Sequence, residues 1–400
     1  MTLKQEFLAN PPCGPGHLNM ARCRQCPQLG LMGHQGFFTV SIACLALAGS
    51  GSQSRAERRT QEATGAPSAS GGAARAERAG HLSDDDIATM AGTIAGDGSG
   101  QENDAFGKKI QEALRREPPT RNDLRATHFN LRYGEHPRNV FDIWMVDSDR
   151  PAPLVVFIHG GGFRRGDKSL LYDSKVLCDL LDAGISVAGI NYRFSHQSPE
   201  AALGSLKDVA RFVQFIRFNA QTYHIDKRRI ACYGGSAGGA ASLWLALRDD
   251  LADPASPDPI ARESTRLACA AAMATPSTLD VLKWKEVLGI SHAQAIATAR
   301  HFGAKDEAEL QAERGRRFRA ETDLVELMSA DDPPIFVHNN DSGEVPSKVG
   351  HMAHHPNHAC ALQKRANELG IEAIVFAPQI GVAHPSGENL IGFFLRQLSH

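Results

Sequence analysis

The 400-residue chain lacks a large excess of charge of either sign: 43 Lys and Arg against 45 Asp and Glu leave a formal net charge of −2. That balance gives no overall field for nucleic acid or an anionic membrane, so neither is predicted as a partner. Cysteine is also sparse, with eight in all, too few for a disulfide-built scaffold of this length. The four that follow residue 124 lie in or beside apolar runs and are predicted to be buried thiols.

The chain lacks an apolar run that would span a bilayer comfortably, which takes about 20 residues. The run Phe37 to Ala48 is shorter, follows Arg22 and Arg24, and ends in small residues. Basic residues, a short apolar segment and a small-residue end are typical of a secretory signal. Residues 1–48 are therefore predicted to be a signal or leader of a secreted or periplasmic protein. The alternative is a disordered tail with a chance apolar patch.

Between Gly49 and Gly80 there is no Val, Ile, Leu, Met or aromatic residue. Such a stretch cannot bury enough apolar surface to offset its ordering entropy, so 49–80 is predicted to be a disordered linker. Residues 81–123 have spaced apolar positions and form a predicted helical N-terminal extension. The main domain is predicted to cover 124–400.

Strand-like and helix-like segments alternate after residue 124. Continuous apolar runs such as Leu154–Ile158 are typical of buried strands, and Leu203–Ala220 has helical spacing. This alternation predicts an α/β fold with a mostly parallel central sheet and helices on both faces. Residues 278–329 are charged and Ala-rich without obvious strands, which predicts a small helical lid insertion; a long crossover excursion is the alternative.

The strongest chemical signal is the segment GGSAG at 234–238, between a predicted strand and a predicted helix. Flanking glycines allow Ser236 to sit on a very tight turn at a helix N-terminus, where developing negative charge is favoured. A second signal is HGGG at 159–162, directly after a buried strand. Consecutive glycines let main-chain N–H groups approach an oxyanion. The phosphate-loop and dinucleotide fingerprints are absent from the sequence, which disfavours nucleotide binding.

Four segments occur in order, HGGGF (159–163), NYRFS (191–195), YHID (223–226) and GGSAGG (234–239). Together they resemble the α/β-hydrolase fold, specifically its esterase/lipase branch with an HGGG oxyanion loop and the bacterial feruloyl- and acetyl-esterase-like proteins within it. The resemblance implies a Ser–acid–His triad in that chain order, with Ser236 as the nucleophile. It further implies oxyanion N–H groups from Gly161, Gly162 and Ala237, and His384 as the base.

The acid departs from the pattern of the family, which places a carboxylate at a fixed spacing before Val-Pro. That spacing, counted back from Val345-Pro346, falls on Ser342. Asp341 lies one residue early and is the predicted acid, with Glu344 as the alternative. A misplaced acid would leave the imidazole poorly oriented, so a catalytically impaired relative is a second hypothesis.

Four histidines, His351, His354, His355 and His358, have pairwise spacings that a helix would place on one face. Pro356 interrupts such a helix and no acidic ligand falls within the cluster, so no metal site is predicted. The sequence as a whole predicts a serine carboxylic-ester hydrolase that needs no cofactor and acts on small esters, and the family resemblance implies that sugar-linked esters are among its substrates. The alternatives are a non-catalytic hydrolase-fold binding protein and, with less support, a serine peptidase.

Overall fold

The computed structural model of the protein describes residues 126–172, 174–301 and 304–399. The predicted leader (1–48), linker (49–80) and N-terminal extension (81–123) lie outside the described residues. None of the helices in the described part of the chain is long and apolar enough to cross a membrane.

The core of the described domain is one eight-stranded sheet with the strand order β1-β2-β4-β3-β5-β6-β7-β8. β2 pairs antiparallel with β1 and with β4, and the pairings from β4 through β8 are parallel. The mostly parallel sheet predicted from the sequence is therefore confirmed. The strands are β1 (His128–Arg132), β2 (Val140–Trp144), β3 (Ala152–Ile158), β4 (Ser186–Ile190), β5 (Ile225–Gly235), β6 (Cys269–Met273), β7 (Ile335–His338) and β8 (Ala373–Phe376).

Helices cover both faces of the sheet, as the alternation of elements predicts. Among the described residues they are α1 (Lys175–Asp182), α2 (Ala202–Phe218), α3 (Ala237–Ala246), α4 (Trp284–Leu288), α5 (His292–His301), α6 (Glu307–Gln311), α7 (Glu313–Glu321), α8 (Leu324–Leu327), α9 (Val349–His354), α10 (Asn357–Leu369) and α11 (Leu390–Leu398). Short 3-10 turns cover Lys168–Leu171, Ser195–Gln197 and Pro378–Ile380.

The two faces form separate apolar cores because successive side chains of a strand point in opposite directions. On β3, Val156 faces the core that contains α2 and α3, whereas Val155 faces the core that contains α1 and α11. All ten residues of α3 are buried. The start of α3, where the predicted serine turn lies, is thus held by the interior of the domain.

Among the described residues between β6 and β7 there are five short helices, α4 to α8, in the place where the sequence predicts a helical insertion. Part of this insertion has its own apolar core, in which Trp284 and Leu288 share a cluster with Met352 and Ala353 of α9. The insertion therefore packs against the short helix that follows β7.

The four cysteines of the described chain are free thiols. Cys232 and Cys269 are buried, as predicted, while Cys178 and Cys360 are only partly buried. Burial raises the pKa of both Cys232 and Cys269, so these thiols stay protonated.

Candidate active site

Ser236 occupies the sharp turn between β5 and α3 predicted from the sequence. Its backbone has φ 52° and ψ −120°, a left-handed φ that costs a residue with a side chain about 1–3 kcal/mol. The turn is fixed by the Ser236 N–H, which donates to the Met273 carbonyl at 2.8 Å. Ser236 therefore precedes α3 directly, and its side chain makes no capping hydrogen bond to that helix.

The glycines around Ser236 are required by close backbone approach. A Cβ at Gly234 would lie 2.2 Å from the Ile158 carbonyl oxygen, and one at Gly238 would lie 1.9 Å from the same atom. Real Cβ atoms do not come that close, so glycine is needed at both positions for the end of β3 to contact this turn. The local sequence thus dictates where Ser236 sits relative to the end of β3.

His354 is the residue that contacts the Ser236 hydroxyl. It ends α9, and its Nε2 lies 2.7 Å from Ser236 Oγ. The prediction that His384 partners Ser236 is wrong in this structure: the His384 Nδ1 instead lies 2.8 Å from Ser386 Oγ, within its own turn. The physical reason is the path of the chain after β7, which forms α9 and brings its last residue back over the serine turn.

Asp341 is the carboxylate next to this histidine. Its Oδ2 lies 3.7 Å from His354 Nδ1, and 46% of the Asp341 side chain is exposed. That separation is within ion-pair range but is longer than a hydrogen bond. Glu344, the alternative acid, contributes a main-chain carbonyl instead, which lies 3.1 Å from His355 Nε2. The structure therefore brings together Ser236, His354 and Asp341.

Burial lowers the pKa of His354, and nearby His351 lowers it further, while Asp341 opposes the shift. A histidine with a lowered pKa is neutral at pH 7. Neutral imidazole has one nitrogen free to accept a proton. His354 is accordingly in the protonation state that a general base needs when it faces a serine hydroxyl.

The loop after β3 lies against the serine turn. An added Cβ at Gly160 would be 2.8 Å from the Gly235 carbonyl oxygen and 3.6 Å from Ser236 Cβ. Gly161 and Gly162 have φ of 113° and 64°, conformations that favour glycine. The N–H of Ala237, at the start of α3, has no acceptor within its own helix. Of the three predicted oxyanion residues, Ala237 directly follows Ser236, and Gly161 and Gly162 directly follow Gly160, the glycine that lies against the serine turn.

Buried polar side chains hold this loop in place by hydrogen bonds and ring stacking. His159 stacks on Tyr192 with ring centroids 4.2 Å apart, and the Tyr192 hydroxyl donates to the His159 carbonyl at 2.8 Å. Burial lowers the pKa of His159 to about 3, so its ring is neutral. The His159 Nδ1–H then donates to Gly160 O at 2.8 Å, and Nε2 accepts from the buried Arg138 guanidinium at 3.3 Å.

Arg138 extends the support to the far end of the loop. Its Nη2 donates to the Gly166 carbonyl at 2.8 Å and its Nε to the Tyr192 carbonyl at 2.8 Å. The guanidinium carbon also lies 3.8 Å from the centroid of the Phe194 ring. Arg138 is not among the residues that the sequence predicts for the site, since only the fold brings it beneath the glycine loop.

The histidine cluster serves several hydrogen-bonding roles. His354 faces Ser236, His351 Nε2 lies 2.8 Å from the Ser342 carbonyl, and His358 lies between Ser277 and Met352. Within the described residues, no group of three or more His, Cys, Asp or Glu side chains is arranged to hold a metal ion.

Comparison of the chain with models of known protein families identifies its family. The family model described as BD-FAE matches residues 141–354, more than half of the chain, including Ser236, Asp341 and His354. The chain belongs to the BD-FAE family. This family consists of α/β-hydrolase esterases, which agrees with the resemblance found in the sequence.

Two curated relatives from Mycobacterium tuberculosis (strain ATCC 25618 / H37Rv) match parts of this BD-FAE chain. The probable carboxylic ester hydrolase LipM is 32% identical over 124 residues, which is 30% of this chain and 28% of LipM. The carboxylic ester hydrolase LipN is 34% identical over 114 residues, 27% of this chain and 29% of LipN. The chain therefore spans less than a third of the length of either relative.

Among solved structures, the truncated form of a carbohydrate esterase from gut microbiota aligns with a TM-score of 0.55 and 18% sequence identity. The alignment covers 71% of this chain and 100% of that chain. At this identity the likeness concerns the fold, and it confirms the predicted α/β-hydrolase architecture.

Proposed function

We propose that this protein is a serine carboxylic-ester hydrolase that works through an acyl-enzyme on small or sugar-linked esters. The observation that carries the proposal is the 2.7 Å contact between His354 Nε2 and Ser236 Oγ at a strained strand-to-helix turn. A serine hydroxyl is a weak nucleophile at its ordinary pKa and needs an adjacent base. A neutral histidine at this distance supplies that base.

In the acylation half-reaction, Ser236 Oγ attacks the ester carbonyl carbon while its proton passes to His354 Nε2. The former carbonyl oxygen becomes an oxyanion, which the N–H groups of Gly161, Gly162 and Ala237 stabilise. The bond between the carbonyl carbon and the alcohol oxygen then breaks. The departing alcohol takes the proton from His354, and the acyl group remains on Ser236.

Deacylation repeats these steps with water as the nucleophile. Water attacks the acyl carbon, gives one proton to His354, and forms a second oxyanion at the same three N–H groups. When this intermediate collapses, Ser236 Oγ leaves and recovers the proton from His354, and the carboxylic acid is released. Asp341 favours the cationic form of His354 that occurs twice in this cycle.

The sugar-linked part of the substrate proposal draws on the resemblance to feruloyl- and acetyl-esterase-like proteins and on the likeness to a carbohydrate esterase. The proposal of a secreted or periplasmic location rests on the pattern in residues 1–48 alone.

The proposal is tested on the full chain with p-nitrophenyl acetate, p-nitrophenyl butyrate and an acetylated xylo-oligosaccharide. We expect turnover of at least one ester, and stoichiometric labelling of Ser236 by a fluorophosphonate, located by peptide mass spectrometry. A matched sample preincubated with the fluorophosphonate should lose its turnover in proportion to the label. Absence of both turnover and labelling would contradict the proposal.

A second candidate function is a non-catalytic binding protein on the same fold. The observation that favours it is the 3.7 Å gap between Asp341 and His354, together with the half-exposed carboxylate. This candidate predicts that an ester binds and raises the melting temperature of the protein but is not hydrolysed. It also predicts that the fluorophosphonate does not label Ser236. The experiment above therefore separates the two.

The lowered pKa of His354 predicts the pH dependence of the reaction. Neutral His354 is the active form, so kcat/KM should be constant near pH 7 and fall about tenfold per pH unit below the His354 pKa, at a midpoint under 6.5. Because Asp341 raises that pKa, Asp341→Asn should shift the acidic limb to lower pH. It should also lower kcat by less than the ~10⁴ typical of a buried triad carboxylate.

The measurement is kcat/KM for p-nitrophenyl acetate between pH 4 and 9, for wild type and Asp341→Asn. Glu344→Gln is the matched control, because the structure ties Glu344 to the site through its main-chain carbonyl. An acidic limb centred above pH 6.5, or an upward shift in Asp341→Asn, would contradict the prediction.

Gly161→Ala should damage the oxyanion loop. The new methyl would lie 2.1 Å from the Arg165 carbonyl oxygen, at a φ of +113°, so the loop must move. Loss of an oxyanion donor costs about 10²–10³ in kcat, and we expect a fall of that order with KM nearly unchanged.

Gly184→Ala is the matched control for this variant. Gly184 also has a positive φ, of +74°, but an added Cβ there meets no atom within 4 Å. Both variants should lose about 1 kcal/mol of stability from the backbone conformation, measured by urea unfolding. If Gly184→Ala lost as much activity as Gly161→Ala, strain in general and not the oxyanion loop would be responsible.

A further inference from the structure

Asn339 directly follows β7 and is almost completely buried, with 1% of its surface exposed. Its main-chain N–H donates to the Phe376 carbonyl at 2.8 Å, which continues the pairing of β7 with β8. The backbone of Asn339 is therefore fixed at the C-terminal end of β7 by its hydrogen bond to β8. Its side chain extends from a rigid base.

The Asn339 side-chain amide contacts the main chain of both His354, the candidate base, and Asp341, the candidate acid. Its Nδ2 donates to the His354 carbonyl at 2.8 Å, and its Oδ1 accepts from the Asp341 N–H at 3.0 Å. Asp341 is two residues away in the chain and His354 is 15. One buried side chain thus connects the acid-bearing loop to the end of α9.

We propose that Asn339 is the positioning residue that sets the separation between Asp341 and His354 and keeps His354 against Ser236. The inference rests on the proposed function, since it concerns how the same site is assembled. Asn339 does not touch the reacting atoms; it acts through the main chain of the two residues that it joins.

An amide suits this position because it offers a donor and an acceptor on one planar group. The His354 carbonyl is at the C-terminal end of α9, where helices leave carbonyl groups without an intrahelical partner. With six residues, α9 has little helical stability of its own. Its last turn therefore depends on contacts from outside the helix. The Asn339 amide makes such a contact to the main-chain carbonyl of His354 itself, the residue that carries the imidazole.

A second anchor holds α9 independently of Asn339. Burial lowers the pKa of His358 to about 3, so its ring is neutral; Nε2–H donates to the Met352 carbonyl at 3.0 Å and Nδ1 accepts from the Ser277 hydroxyl at 3.0 Å. Met352 and Ala353 also pack into the apolar core of the insertion. Loss of the Asn339 amide should therefore misplace His354 without releasing α9 from the domain.

The test compares Asn339→Ala with Asn357→Ala in the full chain. Asn357 Nδ2 donates to the Val287 carbonyl at 3.1 Å, so its variant also removes one amide-to-carbonyl anchor from the same region, but one not attached to Asp341 or His354. We expect Asn339→Ala to lower kcat about 10²-fold, the effect of misplacing a catalytic group by about 1 Å. KM should change less than about twofold, whereas Asn357→Ala should keep kcat close to wild type.

A double-mutant cycle with Asp341→Asn distinguishes positioning from general loosening. If Asn339 acts by setting the Asp341–His354 separation, the kcat loss in the double variant is much smaller than the product of the two single losses. Asn339→Ser, which retains a hydroxyl, provides a milder variant if Asn339→Ala does not fold, and should show the same pattern.

A kcat loss in the double variant equal to the product of the two single losses would overturn the inference, and so would an Asn339→Ala kcat within threefold of wild type. Either result would leave the proposed esterase activity intact. A wild-type protein that neither hydrolyses esters nor labels at Ser236 would instead overturn the proposed function, and this inference with it.

Discussion

Ser236→Ala should lower kcat for p-nitrophenyl acetate by about 10⁴–10⁶, to near the background rate, and should abolish fluorophosphonate labelling. The variant removes the atom that attacks the ester and keeps the Cβ that is already present at φ 52°. The strained turn and its hydrogen bond to Met273 involve only the main chain, so the fold should be retained. Substrate binding should change little, because the oxyanion loop and its buried support are untouched.

Ser242→Ala is the matched control on the same helix. The Ser242 hydroxyl donates to the Gly238 carbonyl at 2.8 Å, so its loss removes one buried hydrogen bond, worth about 1 kcal/mol, and leaves the chemistry intact. Melting temperatures of both variants confirm folding. Equal hydrolysis by wild type and Ser236→Ala would refute the acyl-enzyme proposal, whatever the rate.

His354→Ala should lower kcat by about 10⁴ or more, whereas His384→Ala should remain within about threefold of wild type. The reason is the observed pairing, in which Ser236 Oγ is 2.7 Å from His354 Nε2 while His384 is bonded to Ser386. Without a base the serine proton has no acceptor. Fluorophosphonate labelling of Ser236 in His354→Ala should therefore slow markedly but still be detectable, unlike in Ser236→Ala.

The His384 arm also tests the expectation drawn from family resemblance. Activity lost in His384→Ala and retained in His354→Ala would restore His384 as the base and contradict the geometry described above. Added imidazole offers an independent check, because the His354 side chain is 33% exposed and a small base can enter the space that it vacates. Partial recovery with imidazole is expected for His354→Ala only.

Much of the sheet could be predicted because its central strands are continuous apolar runs. The predicted strand Leu154–Ile158 lies on β3, which begins two residues earlier, at Ala152. β6 could not be recognised in the same way, since Cys269–Met273 is mostly alanine, a residue that favours helices. Its small side chains fit a crowded place: an added Cβ at Gly239 of α3 would lie 3.2 Å from Ala272 Cβ. Packing, and not local propensity, makes this segment a strand.

The place of Ser236 on a strand-to-helix turn could be predicted because its sequence signal is local. The two glycines, the serine and the neighbouring strand and helix all lie within a few residues of Ser236. The histidine that faces Ser236 could not be predicted, since its place depends on how the chain returns after β7. His354 belongs to the histidine cluster that the sequence shows, but no pattern in that cluster marks one histidine as the partner of a distant serine. Chain order alone fits both His354 and His384.

The contact between Ser236 and His354 joins parts of the domain that are packed separately. Ser236 is held by the sheet and by the buried helix α3, whereas the residues before His354 share a core with Trp284 and Leu288 of the insertion. Substitutions within the insertion can therefore displace His354 while leaving undisturbed the strands that hold Ser236.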